Sequence, residues 1–208
     1  MSGNQTPQRR RIGLFGGSFD PVHLGHLALA HSALDDLALD ELRWLPAGRP
    51  WQKGGLQASG EQRAEMLRLA IGDPQHGDAR FRIETCEIER QGPTFTIDTV
   101  LALQQQQPGF DWLLLIGQDQ HAKLQTWHRW RELLALVRLA VAVRPGATVA
   151  VDPEVAAFGF EALAMPPNPL SSTLLRKRVA AREPITDLVP AAVAGYIDSN
   201  RLYRGTAS

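Results

Sequence analysis

Three apolar runs dominate the chain, "RIGLFGG" at 11–17, "WLLLIG" at 112–117 and "RLAVAVRP" at 138–145, and none alternates between polar and apolar residues. A strand with one wet face alternates, so a strand that is apolar at successive positions needs cover on both faces. Stretches of helical period separate these runs. The first has Leu27, Ala30, Leu34 and Leu37 on one face. Strands that alternate with helices imply a doubly wound (Rossmann-like) α/β fold, a parallel sheet flanked by helices on both faces.

The same reading places further strands at "ELRWLPA", near 80–89 and at "FEALAM", and helices at 61–72, 96–106, 171–182 and 190–199. The segment from 117 to 137 reads as mostly helical. Between 47 and 60 lies a Gly- and Pro-containing loop, long enough to be functional. Residues 1–10 are expected to be a flexible tail. The rest, 11–208, is expected to form one domain with a small helical part from about 170 to the end. In such sheets ligands bind beyond the carboxyl ends of the strands where strand order reverses, which directs attention to the residues after the first and fourth strands.

Charge narrows the partners. Lys plus Arg and Asp plus Glu number 22 each, so no net field draws in a nucleic-acid backbone or an anionic membrane. Small molecules are the expected partners. No apolar run approaches the ~18 residues of a membrane span, and the polar start "MSGNQTPQRRR" has no signal-peptide core, so a cytoplasmic location is expected. Cys86 is the one cysteine, and in the run "RFRIETCEIE" it reads as a small buried hydrophobe.

The chemistry concentrates in "GLFGGSFDPVHLGH", residues 13–26, between the first strand and its helix. Gly16 and Gly17 allow a phosphate to approach the backbone, and a helix start offers N–H groups with partial positive charge. His23 and His26 are three apart and share one helix face, from which both reach one phosphate. Asp20 before Pro21 is a turn former. Capping or packing histidines, or a zinc pair still lacking a third ligand, are the duller alternatives.

The string "GGSFDPVHLGH" resembles the ATP-binding signature of the nucleotidyltransferase superfamily with a histidine, two residues, histidine motif. Across nearly the whole chain, "RPWQK", "RAEML", "PTFTIDT", "LIGQD", "TWHRW", "RPG", "LSSTLLR" and "YIDSNRLY" resemble, in that order, bacterial nicotinate-nucleotide adenylyltransferases. The resemblance implies that Gly16, Gly17, Ser18, Phe19, His23 and His26 surround the ATP phosphates. It places Gly117 and Asp119 on the ribose and adenine side, although Asp119 read alone is an N-cap. Ser171, Ser172 and Thr173 form a second phosphate-binding helix start, with Arg176 one turn in.

For the acceptor, nicotinate mononucleotide, the resemblance implies a pocket of Thr94, Phe95, Thr96, Trp127 and His128, with Phe95 and Trp127 flanking the pyridine ring. The loop departs from the family pattern, reading Pro50, Trp51, Gln52, Lys53 where relatives carry a histidine before the lysine. Lys53 remains a candidate phosphate contact. The implied reaction needs no protein nucleophile, only placement of two polyanions and charge stabilisation by His23, His26, Lys53 and Arg176. Magnesium is expected to arrive on the ATP phosphates, with no protein metal cage. Nicotinamide mononucleotide or phosphopantetheine as acceptor, and a silent nucleotide-binding protein, are the rival functions. Monomer and homodimer stay open.

Overall fold

The computed structural model describes residues 9–48, 56–143, 150–164 and 170–204. Its strands are β1 (Arg11–Gly17), β2 (Glu41–Pro46), β3 (Phe81–Ile83), β4 (Asp111–Gly117), β5 (Arg138–Val143) and β6 (Glu161–Ala164). The helices used below are α1 (Leu24–Asp36), α2 (Gly60–Ile71), α3 (Cys86–Glu89), α4 (Thr96–Gln106), α5 (Gln118–His121), α6 (Trp130–Leu136), α7 (Pro153–Ala156), α8 (Ser172–Ala180) and α9 (Ala191–Ser199). All strand pairings are parallel, in the order β3-β2-β1-β4-β5-β6. Strand order therefore reverses between β1 and β4, and a crevice opens at their carboxyl ends.

The central strands are apolar throughout because successive side chains enter two different cores. Phe15, Leu113, Leu115 and Ala140 join Leu27, Ala30 and Leu34 of α1, Met66 and Leu67 of α2, and Val193 and Ile197 of α9. Ile12, Leu14, Leu114, Ile116 and Val141 join Ile97, Val100 and Leu103 of α4 and Leu133 and Leu134 of α6. Helix α2 starts at a capping box. The Ser59 amide donates to the Gln62 side chain at 2.9 Å, and the Gln62 amide donates to Ser59 Oγ at 3.2 Å.

Two expectations need correction. The third strand ends at Ile83, not near 89, and Cys86 begins a four-residue helix. The alternating pattern of "RFRIETCEIE" suits a strand, but β3 lies at the sheet edge and the chain turns away once Glu84 has donated to the Trp44 carbonyl. Cys86 is only half-buried there, and burial together with the neighbouring carboxylates of Glu84 and Glu87 pushes its thiol up to about 11. The stretch 117–137 is likewise not one helix. It splits into α5, a 3-10 turn at Leu124–Thr126, and α6, with Arg129 in the left-handed region at φ 51°.

A buried polar network frames the crevice. Asp20, which precedes Pro21 through a cis peptide bond, is sealed from solvent and accepts from the amides of Gln57 at 2.9 Å and Ala58 at 3.1 Å. The Tyr203 hydroxyl, from beyond α9, donates at 2.7 Å to Oδ1, the oxygen that also accepts from Ala58. Burial and the Asp20 charge push that phenol well above its ordinary range. Arg63, equally buried, donates to the carbonyls of Ser18 at 2.8 Å and Ala47 at 2.6 Å, which braces the chain after β1 against the chain after β2. Tyr203→Phe removes a hydrogen bond to a buried charge, and the expected loss is about 2 kcal/mol. Thermal unfolding would show it as a lower Tm by roughly 5 °C for a chain of this length.

Candidate active site

The turn after β1 is built by packing as much as by glycine freedom. Phe19 takes a left-handed φ of 47°, which tucks its ring under the turn, and a Cβ on Gly17 would lie 2.8 Å from that ring. Gly16 is different, since a Cβ there would meet open space. The Phe19 ring belongs to the core, so its part at the turn is support from below and not a ring contact with phosphate.

The two histidines form a stacked pair, with ring centroids 3.7 Å apart and planes 24° off parallel. His23 is the N-cap residue of α1, and its amide donates to His26 Nδ1 at 3.3 Å. That bond leaves the proton of a neutral His26 on Nε2, as a donor. The His26 ring also meets Phe19 edge-on, at 5.1 Å. His23 is buried, and burial alone lowers its pKa to about 4. It therefore stands as a neutral imidazole at neutral pH. The first amide of α1 is also committed, donating from Leu24 to the Leu188 carbonyl at 3.0 Å.

Beside the turn lies a cleft whose wall brings together Gly16, Gly17 and Ser18 with Gly117, and on the other side Thr94, Phe95, Thr96, Trp127 and His128. Four stretches of the chain thus share one space at the β1–β4 switch point. Phe95 packs on His128, with centroids 4.3 Å apart and planes at 31°. Trp127 lines the same cleft with its indole nitrogen buried and without a hydrogen-bond partner among the described residues. Arg129, next to His128, reaches Asp98 of α4 at 3.8 Å and Glu132 at 2.7 Å, which links the two sides of this slot at the surface.

The other expected residues lie outside that wall. Asp119 is exposed in the first turn of α5, where Gly117 is the N-cap, so the capping reading of Asp119 does not hold. Ser171 caps α8 by accepting from the Leu174 amide at 3.1 Å, and Thr173 is exposed. Ser172 donates to the Pro21 carbonyl at 2.9 Å. Arg176 Nη1 donates to the Asp20 carbonyl at 2.7 Å, and Nη2 reaches Thr173 Oγ1 at 3.4 Å. The α8 start is thereby fastened to the far side of the histidine turn, with part of the guanidinium fork already committed to protein. Lys53, and the "RPWQK" string with it, lies outside the described residues, as does the "RPG" segment.

Sequence reasoning assigned no role to Arg63, Glu87 or Tyr203 and gave Asp20 only a turn. Arg63 did leave a signal, because it falls on the apolar stripe of α2 with Met66, Leu67 and Ala70. No group of three or more His, Cys, Asp or Glu able to hold a metal occurs among the described residues. No helix among them is long and apolar enough to cross a membrane.

His23 makes stability depend on pH. Its folded pKa lies below its unfolded value, so the unfolded chain binds the extra proton between about 4 and 6.5. Stability is therefore full above that window and falls as pH drops through it. Urea denaturation of wild type and His23→Asn should show the wild type losing about 3 kcal/mol relative to the variant between pH 7 and pH 4.

Comparison with known proteins identifies the family. A match to the cytidylyltransferase-like family covers residues 14–178. A "probable nicotinate-nucleotide adenylyltransferase" of Methylibium petroleiphilum is 49% identical over 206 residues, covering 96% of this chain and 95% of that protein. One of the same name from Bordetella petrii is 44% identical, covering 94% and 100%. Among solved structures, Plasmodium falciparum nicotinic acid mononucleotide adenylyltransferase complexed with NaAD superposes with a TM-score of 0.77 at 17% identity, covering 94% of this chain and 98% of that one. The complex of that enzyme with APC gives 0.75 at 16%, with the same coverage, and at such identity both speak for the fold alone. By its family match and its near full-length relatives, this chain belongs to the cytidylyltransferase-like family and, within it, to the nicotinate-nucleotide adenylyltransferases.

Proposed function

We propose that this protein transfers the adenylyl group of ATP to nicotinate mononucleotide, giving nicotinate adenine dinucleotide and pyrophosphate on the route to NAD. The observation that carries this reading is the shared cleft, in which the glycine turn faces the aromatic wall of Phe95, Trp127 and His128. A phosphate site and a slot suited to a flat ring, side by side, are what joining two nucleotides requires.

The acceptor phosphate is ionised at neutral pH, so its oxygen attacks the α-phosphorus without a general base. The new P–O bond forms as the bond to pyrophosphate breaks, in line, and the pyrophosphate carries the charge away. The chain's task is placement and stabilisation. The ATP phosphates lie along Gly16, Gly17 and Ser18, with His26 Nε2 donating to the transferring phosphate and neutral His23 holding the His26 ring by stacking. Arg176, Ser171, Ser172 and Thr173 serve the outgoing phosphates, and Lys53 is assigned a further phosphate contact. Gly117 and Asp119 face the nucleoside. Thr94, Phe95, Thr96, Trp127 and His128 hold the pyridine ring and its carboxylate.

The divalent ion, for which we propose magnesium, enters as part of the ATP complex. The carboxylate-poor glycine turn suits an ion held by phosphates and water. We read residues 11–208 as one cytoplasmic domain that works on small molecules alone.

His26→Ala should leave the fold intact and lower kcat by roughly 10²-fold or more, the scale of one preorganised donor. Near-normal turnover in the purified variant would remove His26 from this role. For the acceptor, pyrophosphate release with ATP and magnesium is measured against nicotinate mononucleotide, nicotinamide mononucleotide and phosphopantetheine in parallel. The acid nucleotide is expected to give the highest kcat/KM, and a preference for either of the others overturns the reading.

A further inference from the structure

Among the described residues lining the cleft, Glu87 is the one carboxylate, and its sign is wrong for a site that receives two polyanions. It is more than nine-tenths buried, and burial raises its pKa. The adenylyl-transfer chemistry gives it no task. Its hydrogen bonds do.

Thr99 Oγ1, from inside α4, donates to Glu87 Oε1 at 3.0 Å. The Thr94 side chain and the Gly48 amide donate to the same carboxylate. These donors come from two segments, the chain leaving β2 and the stretch that runs from Thr94 into α4. Packing confirms the closeness, since a Cβ on Gly48 would lie 1.9 Å from the Glu87 carbonyl oxygen and 3.1 Å from Thr94 Cγ2. Arg90 Nη1 reaches Thr99 Oγ1 at 3.4 Å and sets a positive charge behind the cluster. With three protein donors on it, the carboxylate acts inward, on the wall.

We infer that Glu87 is a positioning residue for the acceptor: by tying Thr94 and Thr99 to Gly48 it fixes the wall on which the pyridine ring and its carboxylate are received. This rests on the acceptor assignment above. Among the hydrogen bonds described, none runs from Glu87, Thr94 or Thr99 to the β1 turn, and Gly48 meets the ATP side only at second hand, through Arg63, which donates to the Gly48 carbonyl at 3.4 Å and the Ser18 carbonyl at 2.8 Å. Disturbing Glu87 should therefore weaken acceptor binding selectively.

The test measures KM for nicotinate mononucleotide, KM for ATP, and kcat in wild type, Glu87→Ala, Glu87→Gln and Thr99→Val, with thermal melts to confirm folding. Glu87→Ala is expected to raise the acceptor KM about tenfold or more, as loss of hydrogen bonds to a buried charge implies, with ATP KM and kcat within about threefold. Glu87→Gln keeps one acceptor oxygen but turns an N–H₂ toward donors, so it should restore part of the loss. Thr99→Val, which deletes one donor without touching the cleft, should shift the same constant less. If Glu87→Ala does not fold, the other two variants decide. An unchanged acceptor KM, or equal rises in both KM values, overturns the inference. A wild type that ignores nicotinate mononucleotide and uses another acceptor overturns the functional reading instead, and the same KM comparison on that acceptor then decides the role of Glu87.

Discussion

Asp20 is shut away from water with its carboxylate shared between two backbone amides and a phenol. A buried charge costs several kcal/mol unless it is fully hydrogen-bonded or paired, so this carboxylate dictates where its donors must be. They come from the chain before α2 and from the end of the protein, while Arg63 supplies a buried positive charge that interacts with Asp20 through space. The main-chain carbonyl of Asp20 is held too, by Arg176. The glycine turn and the histidines that follow it are thus fixed by a residue that need not touch a phosphate.

Around that anchor the electrostatics are restrained. The chain has no net charge, His23 is neutral in its burial, and Arg176 spends part of its fork on protein. In the proposed reaction the ligand side of the site relies on oriented donors and on the ring geometry of a stacked imidazole pair more than on accumulated cations. Donors locked in place need no rearrangement as charge builds up on a phosphate, which is where preorganised sites differ from water.

The sequence disclosed the parts whose signal is local. β1, β4 and β5 are legible because a strand buried on both faces is apolar at successive positions, and α1 because its apolar residues recur at helical spacing. The sequence pattern carries β3 too far because period-2 polarity in "RFRIETCEIE" continues past the last sheet hydrogen bond, and a four-residue helix is too short to show a period of its own. The break at Arg129 had no glycine to announce it. In the site, the resemblance supplied residues from distant segments, and the cleft gathers the glycine turn and the aromatic strip. It could not supply the inner partners. Tyr203 meets Asp20 across 183 positions, and Glu87 meets Gly48 and Thr99 from opposite directions; one sequence holds no record of such pairings. For the same reason the lowered pKa of His23 was invisible, since it comes from enclosure and not from a neighbour in the chain.

The fastening of α8 to the histidine turn has a mechanical consequence. Ser172 grips the Pro21 carbonyl and Arg176 the Asp20 carbonyl, so the helix is joined to the loop at two successive residues, like a bracket bolted at two points. Such a joint transmits displacement but resists hinging. A displacement of the α8 start is therefore felt at the backbone that leads into both imidazoles.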